Sequence, residues 1–132
     1  MRHLLVDVVG VEPNDVIFTN AVLCLPVRRG DRHPVTVQHL DACRPWLIRL
    51  IEDAQPEIIV TMGAKALHAV GRIERHGLTL RTGVGRLHPW FGKKLLPLYH
   101  AGLLGRISRS ADKQRVDIQP LAEHIRARRA TP

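Results

Sequence analysis

Glu57-Ile58-Ile59-Val60-Thr61-Met62 is a nearly unbroken apolar run that meets Gly63 and passes straight into Ala64-Lys65-Ala66-Leu67. A run of this length, preceded by Pro56 and rich in β-branched residues, reads as a buried strand. The segment after Gly63 reads as a short helix ending near Gly71. Asp15–Val22 is a second apolar, β-branched run, with the character of a strand covered on both faces. Lys94–Tyr99 reads as a last strand, its Pro97 marking an edge or a strand end. Between the first two strands, Leu40, Cys43, Leu47, Leu50 and Ile51 recur at three- and four-residue spacing. They predict a helix from about Thr36 to Ala54, capped by Thr36 and kinked or split at Pro45.

Weaker extended segments are expected near Leu78–Arg81 and Gly85–His88. A helix over the first ten residues should end at Gly10. Residues 24–36 read as a polar loop. A final helix should begin near Ser110, bend at Pro120 and fray into the basic tail. Strand and helix alternate, which predicts an α/β fold: a three-layer αβα arrangement around a mostly parallel central sheet. At 132 residues the chain reads as a single domain over 1–132.

Charge narrows the partners. Twenty Lys+Arg stand against twelve Asp+Glu, a net +8 that favours anionic partners. Aromatic residues make up only 4%, which argues against a broad base-stacking platform. No apolar run reaches the roughly 18 residues of a membrane span, and Met1–Asp7 does not read as a signal peptide. Two cysteines do not make a secreted disulfide scaffold. The expectation is a soluble cytoplasmic domain with no membrane partner.

In such sheets ligands bind beyond the carboxyl ends of the strands. Two strand ends carry polar pairs, Thr19-Asn20 and Tyr99-His100, and an asparagine and a histidine there form a candidate site. These residues also carry a resemblance. Thr19-Asn20-Ala21-Val22-Leu23-Cys24 is similar to the strand-end motif of the uracil-DNA glycosylase superfamily, above all its iron–sulfur branch. Cys43-Arg44-Pro45-Trp46-Leu47 resembles that branch's next segment. Ile58–Leu67 resembles its central strand-to-helix turn. Leu96-Pro97-Leu98-Tyr99-His100, followed by Leu104 and Arg106, resembles its histidine loop.

The resemblance implies roles. Asn20 would read the Watson–Crick edge of a flipped uracil, its amide pairing with N3–H and O4 together. His100 would be the catalytic residue, donating to uracil O2 as charge gathers on the departing base. Leu104 would wedge into the duplex, and Arg106 and Lys65 would contact phosphates. The partner would be DNA containing uracil or another deaminated base.

Three departures stand beside the match. The Gly-rich first motif, with its water-positioning residue and stacking aromatic, has no counterpart in the nineteen residues before Asn20. The chain therefore reads as N-terminally short, with no residue named to activate water, and its sheet should expose an edge that a second copy would cover. Cys24 and Cys43 match only two of the four cysteines that hold the branch's iron–sulfur cluster, so no cluster is assigned. After His100 stand Ala101 and Gly102 where the family has proline and a hydroxyl residue. The alternative to a glycosylase is a non-catalytic DNA-binding relic of the same fold. A nucleotide-binding α/β domain ranks below both, because the chain has neither a P-loop nor a Gly-x-Gly-x-x-Gly pattern.

Overall fold

The computed structural model describes residues 8–11, 16–20, 27–28, 31–32, 37–100 and 109–130. Its elements in chain order are β1 (Val27–Arg28), β2 (Asp31–Arg32), α1 (Val37–Ala54), β3 (Ile58–Met62), α2 (Ala64–Gly71), α3 (Leu80–Gly83), β4 (His88–Trp90), β5 (Lys93–Leu98), α4 (Ala111–Asp117) and α5 (Gln119–Ala130). β1 and β2 form a small antiparallel ribbon where a polar loop was expected. The main sheet has the order β3-β5-β4. β3 runs parallel to β5 with Met62 opposite Leu98, and β4 runs antiparallel with His88 opposite Leu95.

Side-chain alternation along the strands builds two cores, one on each face. Ile58, Val60, Met62, Leu96 and Leu98 meet Val9, Val11, Ile118 and Ala122 on one side. Ile59 and Leu95 meet Ile51, Leu67, Val70 and Trp90 on the other. Helices thus cover both faces, as the sequence predicts. The described sheet is mixed, however, with one parallel and one antiparallel pair, and not mostly parallel.

The antiparallel pair comes from a two-residue hairpin at Phe91-Gly92, where both residues have positive φ (+49° and +71°) and Trp90 faces Lys93. This is the backbone of a type I′ turn, whose twist matches that of the strands. Phe91 is a costly occupant of the left-handed region. The carboxylate of Glu74 holds it there by accepting its N–H at 2.6 Å, while the Glu74 carbonyl accepts Trp90 Nε1–H at 2.7 Å.

Several other expectations are corrected. Val16–Asn20 pairs with no strand among the described residues, and Ile17 and Phe18 are 66% and 56% exposed. A β-branched run becomes a strand only beside an edge that takes its backbone hydrogen bonds. Leu80–Gly83 is helical and not extended, because Thr79 and Thr82 cap each other's backbone N–H. Pro45 does not split α1; it lies exposed, where water can satisfy the carbonyl it leaves open.

Pro97 lies in the central strand, one residue from its end. Its carbonyl accepts Gly85 N–H at 3.0 Å, three residues before the start of β4, and its missing N–H faces that same side. Ser110 caps α4 through Lys113 N–H as expected. The break before α5 falls at Ile118, which places Pro120 in the first turn of α5, where proline costs little. α5 then continues to Ala130 through the basic tail. Gly10 has φ +81° and follows helical backbone at Val8-Val9, in keeping with the expected helix end.

Candidate active site

The carboxyl ends of β3 and β5 lie side by side, and Gly63 joins them. Its N–H donates to the Leu98 carbonyl at 2.8 Å, and α2 begins at the next residue without a side-chain cap. Gly63 has φ +89°, a conformation open to glycine and strained for other residues. A β-carbon at Gly63 would sit 3.8 Å from Cδ2 of His100, so the imidazole lies against this turn. His100 is exposed, two residues past the end of β5. Lys65, in the first turn of α2, is also exposed. His100, Gly63 and Lys65 therefore share one edge of the sheet.

The backbone at His100 is held from α4. Gln114 is 5% exposed, and its Nε2 donates to the carbonyls of both His100 and Arg109, each at 3.2 Å. Beside it Arg109 donates to both oxygens of Asp117, at 2.8 and 2.7 Å, and its guanidinium carbon stands 5.6 Å from the centre of the Tyr99 ring. The bidentate bond to Asp117 raises the Arg109 pKa above its ordinary value, so the guanidinium keeps its charge. No sequence pattern pointed to Gln114, Arg109 or Asp117; the one available signal was the Ser110 cap, which fixes where α4 starts and hence which residues face inward.

Asn20 lies exposed, and its carbonyl accepts from Thr19 Oγ1 at 3.4 Å. The strand expected to present it is not formed over Val16–Asn20. Leu104, Arg106 and Cys24 lie outside the described residues. His88, the other histidine after an extended segment, donates from Nε2 to the Gly83 carbonyl at 2.9 Å and braces α3.

A groove of about 690 Å³ runs along α2, walled by Arg44, His68, Arg72, Arg75 and His76 among others. It reaches Ala64, but His100 does not line it. Much of its charge is already used. Arg72 donates to both oxygens of Asp41 at 2.8 and 2.7 Å, and Arg44 stands 3.9 Å from the same carboxylate. His76 accepts Leu78 N–H on Nδ1 and donates from Nε2 to the Leu67 carbonyl, two bonds that fix its ring in the wall. His100 and Lys65, both named from the sequence, lie outside this groove.

Comparison with known proteins gives the family of the chain. The family model for the uracil DNA glycosylase superfamily matches residues 1–119. The chain belongs to the uracil-DNA glycosylase superfamily. Among its relatives is a type-4 uracil-DNA glycosylase of Thermotoga maritima, 30% identical over 113 residues, covering 85% of this chain and 56% of the relative. Another, from Saccharolobus solfataricus, is 27% identical over 115 residues, covering 76% of this chain and 47% of the relative. The type-4 name is that of the iron–sulfur branch which the Cys24 and Cys43 segments resemble. The chain spans about half the length of these curated relatives.

The superfamily's iron–sulfur branch raises the question of a cluster. Cys43 is a buried free thiol on α1, and among the described residues no three or more His, Cys, Asp or Glu side chains gather to hold a metal ion. With two cysteines in the whole sequence, the residues present do not fit a four-thiolate cluster. No helix among the described residues is long and apolar enough to cross a membrane.

Proposed function

We propose that this chain carries the base-excision edge of a uracil-DNA glycosylase and hydrolyses the N-glycosidic bond of a uracil flipped out of DNA. The family match over residues 1–119 carries this reading. His100 beside the Gly63 turn supports it, because it puts a hydrogen-bond donor at the strand ends where a base can enter. Water adds to C1′ and gives up a proton to solvent, the C1′–N1 bond breaks, and its electron pair leaves with uracil, whose anion takes a proton from solvent. The His100 imidazole donates to O2 as that charge develops, an interaction stronger in the transition state than in the ground state. Asn20 reads N3–H and O4. Lys65, Arg106 and the net charge of +8 hold the phosphates, with Leu104 filling the vacated stack. Solution in the cytoplasm and deaminated bases beyond uracil belong to the same reading.

A second reading, a DNA-binding form without turnover, is favoured by the exposed Val16–Asn20 segment, which pairs with no strand among the described residues. The two are separated by single-turnover release of uracil from a uracil-containing oligonucleotide with the chain in excess. The expected result is cleavage that falls about 100-fold or more in His100→Ala, the usual loss when one such donor is removed. Binding without cleavage in the unmutated chain selects the second reading. β3 has no outer strand partner among the described residues, and this edge is where a second copy would pair; a monomeric mass at sedimentation equilibrium removes that part.

A further inference from the structure

We propose that Gln114 is a positioning residue for His100: its side-chain amide fixes the backbone carbonyl on which the imidazole's placement depends. The inference rests on the reading of His100 given above. One nitrogen, Nε2 of Gln114, donates to two carbonyls nine residues apart, those of His100 and Arg109. An amide NH₂ has two hydrogens, so each carbonyl takes one, and the donor capacity of this nitrogen is filled. At 5% exposure the amide has little competition from water, and losing it would leave two acceptors underserved in a dry place.

The clamp is itself anchored. Arg109 is locked by its fork onto Asp117, one turn along the same helix from Gln114. The helix is fixed by the Ser110 cap at its start and by fully buried Ile118 at its end. On the other side, Gly63 N–H fixes Leu98, two residues before His100. His100 is thus held from β3 through Gly63 and from α4 through Gln114. A donor that must meet developing charge on a base needs this placement, because an error of about 1 Å costs on the order of 100-fold in rate.

The test uses the whole chain, unmutated and as Gln114→Met and Gln114→Glu. Met keeps the length of the side chain and removes both donors. Glu keeps the shape but turns an acceptor toward two carbonyls. In ¹³C-labelled protein, the backbone carbonyl signals of His100 and Arg109 are expected to move together in Gln114→Met, while those of Leu95 and Ala122 in the cores stay in place. Unmoved carbonyl signals overturn the proposal. If the Met variant fails to fold, a scalar coupling across the hydrogen bonds of the unmutated chain, from Gln114 Nε2 to the two carbonyls, is expected in its place, and its absence overturns the proposal equally.

In single-turnover uracil release, Gln114→Met should lose about 10- to 100-fold in rate at unchanged DNA affinity. Gln114→Glu should regain part of its loss as pH falls and the buried carboxyl, now protonated, donates again. The rate is read at each pH as a ratio to the unmutated chain, in which His100, Arg109, Asp117 and Tyr99 are also present. Rates equal to the unmutated chain in both variants overturn the proposal. If the unmutated chain releases no uracil but the carbonyl signals respond, the glycosylase reading fails while the clamp on His100 stands.

Discussion

At Gly85 the backbone φ is +74°, and a β-carbon there would sit 2.9 Å from Oδ1 of Asp117 and 3.1 Å from its Cα. The second contact is with backbone and cannot be relieved by a side-chain rotation. Gly77 has a similar φ of +66° but nothing within 4 Å. Gly77→Ala should therefore cost only the left-handed conformation, about 1 kcal/mol, whereas Gly85→Ala should cost at least about 2 kcal/mol by adding the clash. Urea unfolding of the two variants checks this; equal losses would mean that Asp117 is not seated against Gly85. Thr61 offers the opposite sign. Its hydroxyl, on a side chain 3% exposed, finds no hydrogen-bond partner among the described residues. Thr61→Val exchanges that hydroxyl for a methyl of the same shape and should stabilise the fold by about 1 kcal/mol. A loss in the same unfolding measurement would reveal a partner for Oγ1.

Among the elements, α5 is tied back to the start of β3 by Glu57, whose carboxylate meets His124 at 3.0 Å and Arg128 at 2.7 Å. The hydrogen bond from His124, with help from Arg128, holds the Glu57 pKa below its ordinary 4.5. The bidentate bond from Arg72 likewise lowers Asp41, which joins α1 to the end of α2. A carboxyl with a depressed folded-state pKa stabilises the fold fully above its unfolded value, and that share disappears as pH falls through the folded value. Thermal melting should accordingly weaken below about pH 4.5, the ordinary value for Glu57. Glu57→Gln should lower the midpoint at neutral pH and flatten the acid limb; an acid limb identical to the unmutated chain would mean that this tie contributes nothing.

How much of these elements the sequence discloses depends on whether local pattern or distant partners decide them. The α1 stripe, the β3 run and the Gly63 turn declare themselves because periodicity and a glycine are local. The same holds for the Ser110 cap. Asp15–Val22 has strand composition, yet its described part, Val16–Asn20, is not a strand, because a strand needs an adjacent edge and composition does not report one. The hairpin at Phe91-Gly92 is hidden because phenylalanine is a poor occupant of that turn; Glu74, seventeen residues away, makes it possible. His100 and Lys65 can be found from the strand ends they follow. Gln114 cannot, because its role exists only once α4 is packed beneath the end of β5.

For the whole molecule, the proposed function leaves two regions competing as the place where DNA would engage the chain. One is the edge of His100, Gly63 and Lys65 at the carboxyl ends of the parallel pair. The other is the groove along α2, where Arg75 stands beside Arg44 and Arg72, the last two already facing Asp41. The charge of +8 would attract a polyanion to either and does not choose between them. The proposed function favours the edge at His100, because the cations of the groove are partly neutralised within the fold. Amide chemical-shift mapping of the ¹⁵N-labelled chain, titrated with matched oligonucleotides differing only in uracil against thymine, decides between them. The uracil-dependent shifts are expected to centre on Gly63, Lys65 and His100. Uracil-dependent shifts centred on Arg72 and Arg75, or identical maps for the two oligonucleotides, would contradict a base-reading edge at His100.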